Sequence, residues 1–258
     1  MLNQTHIINS SYSLDDISIC QKSISEIRSI IESVLLKPES NYQIITLNTD
    51  FLRIASIDSK FKSICKNSYM AVPDGIGITF LVWLKYRAKI SRITGSDLFN
   101  ICFDIANKFL LRIALVGSSR ETLSRLETIS HQKWPNALVF TASPPYKFEK
   151  NNESNTEVIN SLKDFKPDIL LVALGCPRQE KWIFANQKFI GATIGIGVGA
   201  VFEFYSGKIK RAPLLIQRFG FEWIWRLAHE PVRLGKRYIL YDLPFLVMSA
   251  LRIILRLK

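Results

Sequence analysis

Three polar residues suited to binding and proton transfer stand together in the middle of the chain. Arg178, Gln179 and Glu180 come directly after a Gly-Cys-Pro break that ends the apolar run at residues 169–174. That run is rich in branched residues, which is typical of a strand buried on both faces. Ligands of open α/β sheets bind at the carboxyl ends of strands. The segment therefore predicts a site, although an ordinary polar helix start remains an alternative.

Polar residues also stand at the carboxyl ends of two other predicted strands, and one of them is Asp74. This acid lies in Pro-Asp-Gly-Ile-Gly, directly after a predicted strand at residues 69–72, and Gly75 and Gly77 would allow a close approach by a ligand. Pro-Asp-Gly is also common in plain turns. Thr46 and Asn48 stand at the carboxyl end of another predicted strand, where they can bind a ligand, or Asn48 can simply cap the next helix.

The elements that must position these residues alternate along the chain. Strands are predicted at residues 42–47, 69–72, 111–116, 138–141, 169–174 and 192–199. Helices are predicted between them, with capping boxes at Ser23-x-x-Glu26 and Ser154-x-x-Glu157 and with Ser96 as a further cap. This order predicts an α/β fold, a largely parallel, Rossmann-like sheet flanked by helices.

The composition changes after residue 204. Residues 205–258 contain eleven Lys and Arg against three acids, so this stretch carries eight of the twelve net positive charges. Aromatic residues and leucines are interleaved with the basic ones, which is typical of a helix lying on a membrane surface. We therefore predict a core at 1–204 and a basic, mostly helical, amphipathic appendage at 205–258. Nucleic-acid binding and packing on a neighbouring subunit are the alternatives, and membrane binding is favoured over nucleic acid.

Length, charge and cysteine usage limit the classes of protein. A chain of 258 residues with 48% apolar residues can bury a large α/β core, and its net charge of +12 indicates an anionic partner. The four cysteines form no C-x-x-C pair, which fits a reduced, cytoplasmic compartment without a zinc or redox site. Neither a signal peptide nor a spanning helix is expected.

The motifs, taken in chain order, resemble one family. They are Thr46-Leu-Asn48, Pro73-Asp-Gly-Ile-Gly77, Gly95-Ser-Asp97, the segment 167–182, Gly207-x-x-x-Arg211-Ala-Pro213 and Glu222-Trp-x-x-Arg226-Leu. They are similar to those of the WecG/TagA/CpsF family of bacterial glycosyltransferases, over about residues 7–238. The resemblance implies an inverting enzyme that moves a sugar from a UDP-sugar to a polyprenyl-diphosphate-linked acceptor. It would act as a peripheral protein on the inner face of the cytoplasmic membrane, in surface polysaccharide synthesis.

The same resemblance implies roles for individual residues. Asp74 would be the catalytic base, grouped with Thr46 and Gln179, which, like Asn48, suit the binding of sugar hydroxyls. By the same resemblance, appendage arginines would reach the diphosphate, namely Arg226, Arg233 and Arg237. Judged by residue type alone, three glycines would let the backbone approach the nucleotide, namely Gly117, Gly197 and Gly199. The remaining substrate-binding candidates complete the set. In full, the binding set is Asn48, Gly75, Gly117, Arg178, Glu180, Gly197, Gly199, Glu203, Arg211, Arg226, Arg233 and Arg237.

No metal and no cofactor are expected. The chain has no Asp-x-Asp, the usual carboxylate pair for a nucleotide-sugar's cation, and its three histidines are scattered. Glu203 stands where the family usually has an aspartate, which would bear on the choice of sugar. Gly195-x-Gly197-x-Gly199 suggests a dinucleotide-binding turn as a competing interpretation, and a basic binding module is another. The resemblance implies N-acetylmannosamine, its uronic acid or glucose as the transferred sugar, and the residues leave this choice and a homo-oligomeric state open.

Overall fold

The computed structural model describes residues 12–213, 215–216 and 220–255. Six parallel strands form the central sheet, in the order β4-β3-β8-β7-β5-β6. They are β3 (Tyr42–Leu47), β4 (Met70–Pro73), β5 (Arg112–Gly117), β6 (Leu138–Ala142), β7 (Ile169–Ala173) and β8 (Ile194–Gly197). The predicted parallel α/β fold is confirmed. A short antiparallel hairpin, β1 (Ser13–Leu14) and β2 (Ile17–Ser18), was not predicted, because two-residue strands leave no periodic pattern.

Helices cover both faces of this sheet, since strands buried on both sides need apolar cover on each. One face packs on α1 (Ile24–Leu36), α5 (Gly95–Phe109) and α6 (Arg120–Lys133). The other packs on α2 (Thr49–Ile57), α3 (Ser59–Lys66), α4 (Ile76–Tyr86), α7 (Asn152–Phe165) and α8 (Arg178–Ile190). A short helix, α9 (Val201–Tyr205), follows the last strand.

Of the three helix caps predicted at Ser23, Ser96 and Ser154, one is confirmed and two are wrong. Ser23 and Glu26 form the predicted capping box. The cap of α5 is Thr94 instead of Ser96, because the Thr94 side chain accepts from the Asp97 N–H while the Asp97 carboxylate accepts from the Thr94 N–H. The cap of α7 is Asn151, whose side chain accepts from the Ser154 N–H at 3.0 Å, so the predicted box at Ser154 is wrong.

The described part of the basic C-terminal segment is mostly helical and folds back on the rest of the chain. It comprises α10 (Glu222–His229), α11 (Pro231–Gly235), a π-helical stretch (Lys236–Asp242) and α12 (Leu243–Ile254), and α12 packs against α4 and α2. We keep the name appendage for residues 205–258; the division at residue 204 stays a prediction. None of the helices described is both long enough and apolar enough to span a bilayer.

Four charged side chains tie the appendage to α2. The carboxylates are Asp50 and Asp242, and the guanidinium groups are Arg53 and Arg237. Arg53 contacts Asp50 at 2.5 Å and Asp242 at 3.6 Å. Arg237 contacts Asp242 at 3.3 Å and Asp50 at 3.9 Å. Because the charges alternate, each carboxylate is offset by two cations, and this cluster fixes the π-helical stretch on the core.

Candidate active site

A cavity of about 570 Å³ opens at the carboxyl ends of β3 and β4, between the core and the appendage. Its core side is formed by the loops after both strands and by the start of α5, and its other side by α10 and the π-helical stretch. Among the described residues, four arginines and four acids line it. They are Arg92, Arg211, Arg226, Arg237, Asp50, Asp74, Glu222 and Asp242. The cavity thus combines a proton acceptor with groups that bind anions.

Asp74 is held at the floor of this cavity by the end of β4. Its backbone N–H donates to the Leu47 carbonyl at 2.8 Å, and the Gly95 N–H donates to its carboxylate. Burial and the nearby charge of Glu222 raise the pKa of Asp74 to about 7, although Arg92 opposes this. A carboxyl with a pKa near neutrality is suited to general-base work.

The residue after Asp74 must be a glycine. Gly75 has φ +97°, a region that L side chains rarely adopt, and it precedes the first turn of α4. Apart from Gly75 and its two chain neighbours, no residue has an atom within 4 Å of the position where its Cβ would stand, so the backbone is open to the cavity there. Pro-Asp-Gly is thus a strand end that presents both a carboxylate and bare backbone to the cavity.

Asn48 and Thr46, both predicted to bind substrate, differ in position. Asn48 lines the cavity, but its side-chain oxygen also accepts from the Phe51 N–H at 3.1 Å and caps α2. Thr46 is buried and its hydroxyl donates to the Gly197 carbonyl at 3.5 Å, which links β3 to β8. It is not among the residues that line the cavity.

Three of the predicted appendage arginines line the cavity. Arg211 lies 3.5 Å from Glu222, and Arg237 belongs to the charged cluster with Asp50 and Asp242. Arg226 lies over the ring of Phe204, and its buried Nε–H has no acceptor among the described residues. Arg233 lies in α11, and its side chain is outside what the structure describes.

Comparison with known proteins identifies the family to which the chain belongs. The model of the Glycosyl transferase WecG/TagA/CpsF family matches residues 12–258. The chain belongs to this family. The expectation of a glycosyltransferase is therefore confirmed.

Two relatives carry the same name, N-acetylglucosaminyldiphosphoundecaprenol N-acetyl-beta-D-mannosaminyltransferase. The one from Bacillus subtilis (strain 168) is 31% identical over 190 residues, which cover 74% of this chain and 72% of the relative. The one from Staphylococcus aureus (strain MW2) is 27% identical over 197 residues, with 76% of each chain covered.

In this WecG/TagA/CpsF-family chain, Gln179 and Glu180 are buried beside the cavity and do not line it. The Gln179 side-chain oxygen accepts from the N–H groups of Gly175 and Gly199, at 3.1 and 3.2 Å, and so joins the loops after β7 and β8. Its amide donates to Glu180 at 2.7 Å, and burial raises the pKa of Glu180 to about 7. Because neither side chain lines the cavity, the structure does not support the predicted contact of Gln179 and Glu180 with substrate.

The glycines of β8 have a packing role. A Cβ on Gly197 would collide with the side chains of Glu180 and Gln179, and one on Gly195 would lie 2.6 Å from Gln187. These two glycines let α8 pack closely on the sheet, and Gly199, after the strand, has φ +54°, a conformation that favours glycine, so none of the three needs a dinucleotide to account for it. Gly197 and Gly199 are not among the residues that line the cavity.

Other predicted binding residues lie farther along the same sheet edge. Arg178 forms a bidentate ion pair with Glu149, at 2.6 and 2.9 Å, outside the cavity lining. Glu203 accepts from the Ser118 hydroxyl at 2.7 Å, beside Gly117, which has φ +100°. Connections leave β5 and β7 in opposite directions, to β6 and β8, so Gly117 borders the kind of switch point where α/β proteins bind ligands.

Sequence reasoning missed Arg92 and assigned no role to Asp50, Asp242 or Glu222. Arg92 lies in the irregular segment before α5, and no local pattern distinguishes it from its basic neighbours. No cluster of three or more His, Cys, Asp or Glu in the described part of the chain could hold a metal ion. Metal independence stays a prediction.

Proposed function

We propose that this protein transfers a sugar from a UDP-sugar to a polyprenyl-diphosphate-linked sugar acceptor, with inversion at the anomeric carbon and without a metal. The observation that carries the proposal is a carboxyl with a pKa near neutrality, Asp74, in one cavity with four arginines. The names of the two relatives, which specify an undecaprenol-linked acceptor, support it. The setting would be surface polysaccharide synthesis.

Asp74 would act as the general base. As the acceptor hydroxyl attacks the anomeric carbon, its proton passes to the Asp74 carboxylate, and the bond from the sugar to UDP breaks with its electron pair on UDP. One displacement of this kind inverts the configuration. General-base help contributes about 10²- to 10⁴-fold in rate.

The cavity arginines would neutralise the charge that develops on the departing UDP. Charge-assisted hydrogen bonds from guanidinium groups are short and strong, and their geometry fits phosphate. Arg226 supports this role, because its buried Nε–H lacks an acceptor among the described residues. Preorganised guanidinium N–H groups of this kind would take the place of a cation at the leaving group.

The appendage would place the enzyme on an anionic membrane, peripherally on the inner leaflet. Apolar side chains of the π-helical stretch and α12 are about half exposed, among them Ile239, Leu240, Val247, Met248 and Leu251. Leu243 and Leu246, also on α12, line the cavity, so the exposed apolar surface continues to its rim. A lipid-linked acceptor could thus enter from the bilayer, and each Lys or Arg near the anionic leaflet adds about 1 kcal/mol.

The decisive experiment combines binding with turnover. The purified protein is titrated with UDP, NAD and RNA, and then given a panel of UDP-sugars with a polyprenyl-diphosphate-linked N-acetylglucosamine acceptor. We expect UDP binding above NAD and RNA, and transfer of one sugar with inverted configuration by NMR. Preferential RNA binding without transfer would support a basic binding module. Preferential NAD binding would support a dinucleotide enzyme.

Membrane docking is tested separately with vesicles. Replacing Met248 and Leu251 by serine should release the protein from vesicles containing phosphatidylglycerol, because both side chains are about half exposed. The matched control replaces Ile57 and Leu110, which are more exposed but lie on the core, and should leave vesicle binding unchanged. Equal loss in both variants would contradict docking through α12.

A further inference from the structure

Glu222 connects two arginines that come from distant parts of the chain. It is the first residue of α10, and one carboxylate oxygen lies 2.8 Å from Arg92 Nη1. The other oxygen lies 3.5 Å from Arg211 Nε. The Glu222 and Arg92 side chains are about one-fifth exposed, at 21% and 22%. A bridge this shielded is less weakened by solvent than a pair on the open surface.

All three side chains line the cavity that contains Asp74. Two guanidinium groups that line one small space repel each other, and a carboxylate between them offsets the repulsion. The hydrogen bond from Arg92 fixes the direction of that guanidinium group, and the ion pair at 3.5 Å attracts Arg211. Arg92 belongs to the core, whereas Arg211 and Glu222 belong to the appendage. The bridge therefore exists only while the appendage lies on the core.

We propose that Glu222 is a positioning residue, which holds Arg92 of the core and Arg211 of the appendage in the cavity that contains Asp74. This inference rests on the proposed transfer reaction. Glu222 touches neither the sugar nor the acceptor in this scheme. It acts through the two arginines, which contact the diphosphate, and through its own charge.

The charge of Glu222 also influences the base. Burial is the largest cause of the raised pKa of Asp74, and the charge of Glu222 is the second largest. Arg92 lowers the pKa, and Asp97 adds a smaller increase. The other charged groups that line the cavity are Arg211, Arg226, Arg237, Asp50 and Asp242. Removing the negative charge of Glu222 makes ionisation of Asp74 easier, so the pKa of Asp74 falls.

The test is the pH profile of kcat/KM for Glu222→Gln. Its acid limb should move to lower pH by about one unit, the usual size of protein-induced pKa shifts. UDP affinity should fall about tenfold, because a neutral amide cannot hold two guanidinium groups in place and one charge-assisted hydrogen bond is lost. Glu222→Asp keeps the charge, so its acid limb should stay at the wild-type pH.

Glu230→Gln is the matched control. Glu230 caps the other end of α10, pairs with Arg226 at 3.9 Å and is not among the residues lining the cavity, so its acid limb should not move. An unshifted limb in Glu222→Gln overturns the inference. Tighter UDP binding by that variant also overturns it, since Glu222 would then compete with the diphosphate for the arginines. A wild-type protein that neither binds UDP nor transfers sugar refutes the proposed function itself.

Discussion

Replacing Asp74 with asparagine should have opposite effects on catalysis and on stability. Asparagine has the same shape and can still accept from the Gly95 N–H, but it can neither take a proton from the acceptor nor carry a charge. Turnover should therefore fall by at least about a hundredfold. Stability should rise at alkaline pH, because the wild-type protein must keep a charged carboxylate in a poorly solvated place.

The size of the stability effect follows from the pKa. Burial, followed by the charge of Glu222, raises the pKa of Asp74 from 3.8 to about 7. A carboxyl whose pKa is raised on folding contributes its stability fully below pH 3.8, and that contribution is lost as the pH rises through 7. The whole difference corresponds to about 4 kcal/mol. Because Asp74 is half-buried and lines an open cavity, solvent screening reduces this, and we expect about 2 kcal/mol.

The assay is urea unfolding of both proteins at pH 5.5 and pH 8.5, with turnover measured on the same preparations. At pH 8.5 the variant should be more stable than the wild type by about 2 kcal/mol, and the gap should narrow at pH 5.5. Asp58→Asn is the control, and its stability should change in the opposite direction. The pKa of Asp58 is lowered, chiefly by Lys181, so losing this charge should cost stability at pH 8.5.

Two results would refute this reasoning in different ways. A stability difference between Asp74→Asn and the wild type that does not change between the two pH values would mean that the folded protein does not raise the pKa of this carboxyl. Turnover within a few-fold of the wild type would remove Asp74 as the base, whatever its pKa.

Three further predictions concern other parts of the molecule. Gly117→Ala should lower the free energy of unfolding in urea by about 1–3 kcal/mol through φ strain, and by more because its Cβ would lie 2.6 Å from the Ala173 carbonyl oxygen. Gly191→Ala is the comparison: Gly191 has φ +84° and free space around the Cβ position, so this variant should lose only the strain contribution. Glu180→Gln should flatten the stability profile between pH 5 and 8, where the wild type loses up to about 3 kcal/mol as the pH rises through 7. Turnover should survive thorough chelation with EDTA, and activity that returns only with magnesium or manganese would contradict metal independence.

The sequence by itself determined the sheet strands and the place of Asp74. Residues 169–173 are apolar throughout, and residues 42–47 are mostly apolar or β-branched, so a local pattern was enough to identify buried strands. The parallel arrangement followed from their alternation with helices. A carboxylate followed by glycine at a strand end likewise marked one edge of the sheet, which is where the structure has the cavity.

The tertiary structure alone decided which polar residues share that cavity. Arg92 and Glu222 are 130 positions apart and meet only because the appendage folds back over the carboxyl end of β4. Gln179 looked like a ligand-binding residue, yet its hydrogen-bonding groups are used by Gly175, Gly199 and Glu180. Side-chain direction and long-range packing set these outcomes, and neither is written in the spacing of residues along the chain.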